Sequence, residues 1–249
     1  MRESIKSEAH KHCRWGYRLL LGVFRGRGER INHKKFLRIY REENLQIGKR
    51  TRVHRQLIER IRSETPERVN ERWSMDFMYD VLETKRSYRI FNVIDDCSRE
   101  CLVCEVGRGF GGYDVARLLD EAIKRYGKPK RIRSDNGSEF RSHYMRSWSK
   151  SRGIELEFIE PGKPTQNAQV ESFNGTLRDE ELRSASYVNL KEAQESLRKW
   201  RRVYNTERPH SSLGYTPPAS RRPLGGDYNI ESYNKSSIIT NTSDYPLAR

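Results

Sequence analysis

The chain has 249 residues, 34% hydrophobic and 33% charged, and 49 Lys and Arg outnumber 34 Asp and Glu to give a net charge of +15. That length allows one large or two smaller domains with a real core. No run approaches a membrane span and the amino terminus lacks the apolar centre of a secretory signal, so a cytoplasmic protein is expected.

The charge is uneven. Residues 1–65 carry 18 basic against 7 acidic residues, the pattern of a nucleic-acid-binding head on a more balanced module. A solvated basic face or an anionic lipid surface would also account for it. Residues 1–12 are polar and read as a frayed end. A short helix starts around Trp15-Gly16-Tyr17 and breaks at Gly26-Arg27-Gly28. Asn32 is a good N-cap for a helix over residues 33–44. That helix sets Phe36 and Tyr40 on one face and His33, Lys34, Lys35, Arg38 and Arg41 on the other. Helix, glycine-containing turn and basic helix make a helix-turn-helix-like pattern over residues 1–48, with a plain helical hairpin as the alternative. Residues 49–70 read as a linker.

A second regime starts at Trp73. Strands are predicted at 72–79, 87–95 and 100–106, close enough for two antiparallel hairpins. Gly109-Phe110-Gly111-Gly112 is no phosphate loop, because no Gly-Lys-Ser/Thr follows. A helix over 113–126 carries Val115, Leu118, Leu119 and Ile123 and stops at Gly127 and Pro129. A strand at 130–134, a helix at 139–152 with Phe140, Tyr144 and Trp148 spaced by four, and a strand at 154–159 follow. One helix then spans about 166–182 and another 190–204. The order fits a mixed sheet flanked by helices, an α/β arrangement. Residues 223–249 lack periodicity and read as a loose tail.

Cys101-x-x-Cys104 invites a zinc reading, but no second Cys or His pair follows. In a strand the two side chains would also point to opposite sides. Free, mostly buried thiols are expected.

Three carboxylates stand in contexts suited to a catalytic metal. Asp76 lies in the strand-like Trp73-Ser74-Met75-Asp76-Phe77. Asp135 ends a strand and precedes the turn signal Asn136-Gly137. Glu171 sits on a helix, with 35 residues between it and Asp135. Hard oxygen ligands suit Mg²⁺ or Mn²⁺, and a pair of such ions is a phosphoryl-transfer device. On a helical wheel Asn167, Glu171, Asn174 and Arg178 share an edge, beside an apolar face of Val170, Phe173 and Leu177. Glu139 lies four residues after Asp135. No nucleophile motif surrounds His210.

Three segments occur in order: Trp73 to Phe77, Arg133-Ser134-Asp135-Asn136-Gly137-Ser138-Glu139-Phe140, and Pro161-Gly162-Lys163-Pro164-Thr165-Gln166-Asn167 running on through Glu171 to Gly175. Together they closely resemble the catalytic core of bacterial insertion-sequence transposases akin to retroviral integrases. Tyr204-Asn205-Thr206-Glu207-Arg208-Pro209-His210, continuing to Pro218, looks like that family's carboxy-terminal signature. Arg178, seven residues after Glu171, also matches. The resemblance covers roughly residues 10–220, and the chain looks like the product of the second of two overlapping reading frames.

The resemblance implies a ribonuclease H-like fold with a five-stranded sheet over residues 71–183. The carboxy-terminal helix and signature would occupy 184–222. It implies an Asp-Asp-Glu site, Asp76, Asp135 and Glu171, binding two Mg²⁺ or Mn²⁺ ions. It implies DNA cleavage and strand transfer on terminal inverted repeats and target DNA, by a multimer, with a first-frame protein as possible partner or fusion and the nucleoid as location. Asn136, Lys163, Asn167 and Arg178 become candidates for DNA contact near the site, with Lys34, Lys35 and Arg38 on the amino-terminal helix. Asp95, followed by Asp96, Ser98 and Arg99, resembles a structural turn of the family. The alternatives are a DNA-binding remnant without catalysis, which retention of all three acids argues against, and a ribonuclease H-type nuclease, which the basic head disfavours.

Overall fold

A computed structural model describes residues 1–48, 66–160 and 164–222. Most of the expected linker, Lys163 and the tail at 223–249 lie outside the described residues. Among the described residues no helix is long and apolar enough to cross a membrane.

The amino-terminal part is three helices: α1 (Arg2–Lys11), α2 (Tyr17–Gly26) and α3 (His33–Glu42). The expectation of a frayed start was wrong. Ile5 and Ala9 of α1 are buried against Trp15, Leu20, Phe24 and Phe36, and Arg2 pairs with Glu42 and Glu43 of α3. Two apolar residues four apart suffice to bury one face of an otherwise polar helix. Asn32 caps α3 as expected, accepting from the Lys34 amide at 2.8 Å. Phe24 and Phe36 meet edge to face at 5.7 Å.

The second part is a five-stranded sheet, β1 (Arg72–Val81), β2 (Ser87–Asp95), β3 (Cys101–Gly107), β4 (Arg131–Ser134) and β5 (Glu155–Phe158). The strand order is β3-β2-β1-β4-β5. The first three strands form an antiparallel meander; β1, β4 and β5 are parallel. α4 (Gly112–Tyr126) and α5 (His143–Arg152) serve one face of the sheet, and α6 (Ala168–Leu177) and α7 (Leu190–Thr206) the other.

Successive β1 side chains point to opposite faces, and the sequence uses both. Trp73, Met75 and Phe77 join a core with α4 and α5. Met78 joins the second core with Val170, Phe173 and Leu177 of α6 and Leu197 and Trp200 of α7. Ser74 and Asp76 share that second face. Phe140 stacks on Phe77, centroids 5.0 Å apart, although it precedes α5, whose N-cap is Ser142. Phe140 and Trp148 are buried, whereas Tyr144 is exposed and meets Tyr113.

Asp95 and Asp96 serve the turn. Asp95 accepts from the amides of Asn70, Cys97 and Ser98, and buried Asp96 pairs with buried Arg72 at 2.6 Å. The expected opposition of Cys101 and Cys104 is corrected. Val93 pairs with Val103 but Ile94 pairs with Cys101, so the register slips and Leu102 is the extra residue of a β-bulge. Both thiols therefore face the second core. A hydrogen bond with Cys101, aided by burial, holds the Cys104 thiol well above its ordinary value. All four cysteines are free; Cys97 is half-buried and Cys13 exposed.

Candidate functional site

β1 and β4 pair in parallel from Arg72 with Arg131 to Ser74 with Arg133. Two residues beyond the last of these pairs come Asp76, within β1, and Asp135, the first residue after β4. Equal offsets and a period of two place them level, on the same face of the sheet. Glu171 stands in the first turn of α6, which lies over that face. The three acids share a local field. Burial pushes the Asp76 carboxyl up to about 6, and the Asp135 and Glu171 carboxylates push the same way, against donors from the Phe77 amide and Asn174.

Asp76 is held by a buried amide relay. Asn174 of α6 donates from Nδ2 to Asp76 Oδ2 at 2.8 Å. Asn92 donates from Nδ2 to Asn174 Oδ1, also at 2.8 Å. Asn92 is the cross-strand partner of Asp76 and is fully buried. Sequence reasoning missed Asn92 and placed Asn174 beside Glu171 without a role. A signal existed: Asn92 interrupts the apolar run Ile90-Phe91-Asn92-Val93-Ile94.

Asp135 sits in a tight turn, accepting from the Gly137 amide at 2.9 Å. A Cβ on Gly137 would lie 3.0 Å from Asp135 Oδ1 and 3.2 Å from Glu139 Oε2, so a side chain there would crowd both acids. Asn136 is exposed and donates to the Ile159 carbonyl. Glu139 points away from the Asp76 face. It pairs with Arg89, whose guanidinium lies 3.9 Å from the Phe77 ring centroid.

The other candidates scatter. The single helix expected over 166–182 is a 3-10 turn at Pro164–Asn167, α6, and a π turn at Arg178–Leu182. The changes of helical pitch break the shared edge. Asn167 is buried and its Oδ1 finds no protein partner; Glu171 is exposed; Arg178 donates to the Tyr79 carbonyl on β1 at 3.1 Å. Lys34, Lys35 and Arg38 are exposed on α3, with Arg38 3.5 Å from Glu42. His210 is half-buried against Tyr204, and desolvation, with Arg208 and Arg99, lowers its pKa to about 3. A neutral, packed imidazole fits the lack of a nucleophile motif.

Three carboxylates that share one field fit a hard divalent cation in kind, because their mutual repulsion asks for positive charge. Among the described residues no three His, Cys, Asp or Glu side chains stand close enough together to hold an ion. One Asp76 oxygen is engaged by Asn174 instead.

A mixed sheet in this order, with one acid in the middle of β1, a second just past β4 and a third on the helix over that face, defines an integrase-type core. Family comparison agrees: two profiles described as Integrase core domain match residues 66–164 and 152–218. A 31.7 kDa protein of insertion element IS407 from Burkholderia multivorans is 40% identical over 85% of this chain and 76% of its own length. A 39.2 kDa protein of insertion element IS476 from Xanthomonas euvesicatoria is 43% identical over 92% of this chain. The match spans 65% of that longer relative. The chain belongs to the insertion-sequence transposase family with an integrase core. In fold it is similar to a chain of the simian T-cell lymphotropic virus intasome, solved with a PP2A regulatory subunit. The TM-score is 0.57 at 16% identity, covering 88% of this chain and 72% of that one.

Proposed function

We propose that this chain is a metal-dependent DNA transposase that cleaves the ends of its element and joins them to target DNA. The observation that carries this reading is Asp76, half-buried, whose pKa is raised by burial first and then by the charges of Asp135 and Glu171. In this reading Asp76, Asp135 and Glu171 hold two Mg²⁺ or Mn²⁺ ions. Such ions, when bound, activate a water or a 3′-hydroxyl and neutralise the scissile phosphate.

The remaining work belongs to the chain. Asn174 fixes the rotamer of Asp76, backed by Asn92. The Gly137 amide fixes Asp135. Arg178, tethered to β1, offers a cation about two turns beyond Glu171. Lys34, Lys35 and Arg38 hold phosphates at the amino-terminal helices, which supplies affinity more than sequence reading; Asn136, Lys163 and Asn167 are assigned to DNA nearer the acids. In this reading residues 1–48 form the DNA-binding unit and 71–183 the catalytic unit, with 184–222 completing it. Double-stranded DNA is the substrate, and a multimer holds two ends.

The test is Asp135→Asn on a DNA duplex carrying the element's terminal repeat. End cleavage and strand transfer should vanish while binding to the same duplex persists. Full activity in the variant would overturn the assignment. Binding without cleavage by the unaltered protein would favour the remnant reading.

A further inference from the structure

The carboxy-terminal signature has no part in the chemistry above. Its residues lie instead between the two halves of the molecule. Asn205, at the end of α7, is fully buried and clasps β3: its Oδ1 accepts from the Cys101 amide and its Nδ2 donates to the Cys101 carbonyl, both at 2.9 Å. Arg208 forms a forked pair with Glu180 of the π turn, at 2.9 and 3.1 Å from Nε. Both partners are nearly buried. The chain then turns back on itself, with the Tyr215 amide donating to the His210 carbonyl at 2.8 Å and His210 and Thr216 bridged. The signature is thus welded to the sheet and to the segment behind α6.

Its outer side meets the amino-terminal helices. A Cβ on Gly22 of α2 would lie 2.9 Å from Pro209 Cβ and 3.2 Å from Tyr215 Cβ. A bare Cβ there requires the contact to open by a few tenths of an ångström, and a branched side chain would force α2 away from the signature. Tyr215 holds a left-handed backbone, φ 63°, a strained conformation for a bulky residue, and it thereby places its Cβ against α2. Lys11 of α1 pairs with Glu207 at 2.8 Å, and Val203 of α7 packs into the amino-terminal core. Hydrophobic, ionic and close-packed contacts all fall within one stretch of thirteen residues, Val203 to Tyr215.

We propose that the Tyr204–Pro218 signature is the seat of the amino-terminal helical unit of the same chain. It holds that unit and the sheet as one body, so that DNA gripped by α3 is presented to the acids in a set register. The second half of this statement rests on the transposase reading; the docking itself does not.

The test exploits Gly22 and Tyr215. Disulfide-bonded cysteines have Cβ atoms about 3.5–4.5 Å apart, so a small relaxation admits a bond between Gly22→Cys and Tyr215→Cys, in a Cys13→Ser background. Mild oxidation of the full chain should give a monomer-sized product with altered mobility, reversed by reductant. The oxidised protein should bind and process element-end DNA within about twofold of the reduced one. No bond, or covalent dimers, would overturn docking within one chain. A locked protein that loses DNA processing and regains it on reduction would overturn the claim that the docked arrangement is the working one. Bond formation with no DNA processing in either state would fault the transposase reading and leave the seat standing. As a check free of cysteine chemistry, Gly22→Leu should expose the 1–48 unit to limited proteolysis. Gly26→Leu, with nothing within 4 Å, should not. Equal protection of both variants would count against the seat.

Discussion

The two faces of β1 are built on opposite rules, although both are buried. On the α4 and α5 side Phe77 meets Phe91, Phe110 and Phe140 in an aromatic cluster that needs no hydrogen bonds, with Trp73 and Met75 in the same core. On the α6 and α7 side the same strand carries Asp76, and next to it buried Asn92 and Asn174 stand in an otherwise apolar core. A buried polar group is costly unless partnered; the relay partners Asn92 Nδ2, both amide atoms of Asn174 and one Asp76 oxygen, while Asn92 Oδ1 has no protein partner. The difference teaches which face was made for rigidity and which for chemistry. The apolar face anchors the strand, and the polar face spends stability to hold a carboxylate among carboxylates.

The largest expected break in this comparison is Asp76→Asn. DNA processing should fall by about a thousandfold, the scale seen when a group that stabilises transition-state charge is removed. The folded protein should gain stability at the same time. The raised Asp76 pKa of about 6 means that the folded state keeps a proton the unfolded chain releases near pH 4. Stability of the metal-free protein therefore falls as pH rises from about 4 to 6, and the penalty persists above that range. The variant removes a penalty on the order of 3 kcal/mol at neutral pH, and its melting temperature should exceed the unaltered protein's at pH 7.5 but match it below pH 4. A lower melting temperature at neutral pH would contradict the role of burial.

Next comes the apolar face. Phe140→Ala should cost about 3–5 kcal/mol, read from denaturant midpoints, because it opens a cavity beneath Phe77 and Phe91. A cost under 1 kcal/mol would mean that the stack is not the anchor.

The relay predicts a smaller and different effect. Asn92→Ala and Asn174→Ala should each weaken Mn²⁺ binding, followed by calorimetry, by about 10–100-fold, as the loss of groups that orient metal ligands does. Unchanged affinity would reduce the relay to packing. Smallest of all, Arg152→Ala removes a solvent-facing pair with Asp120 at 2.8 Å and should change stability by less than about 1 kcal/mol.

Much of this architecture is legible in the chain. The strand positions, the meander, the Asn32 cap and the stop at Gly127 follow from local periodicity and turn chemistry, which act over a few residues. What stayed hidden depended on distant partners. α1 is polar in sequence, and the apolar residues of the next two helices, with Trp15, give Ile5 and Ala9 something to bury against. The bulge at Leu102 sets both Cys101 and Cys104 on one face, and a register slip has no local signature. The helix around Glu171 changes pitch at both ends, where distant residues hold it: Arg133 donates to the Gln166 carbonyl at the start and Arg178 reaches the Tyr79 carbonyl at the finish.

The sequence by itself determined the inventory: which residues are carboxylates, in what order, on which kinds of element, and in the company of which signature. The tertiary structure decided the meeting. Parallel pairing of β1 with β4 brings Asp76 level with Asp135 although 58 residues separate them. The second core lays α6 across them and buries Asn92 where it can reach Asn174. Gly22, unremarkable in sequence, acquires its meaning only against Pro209 and Tyr215. Residue identity sets what chemistry is available, and long-range packing sets the distances at which that chemistry can act.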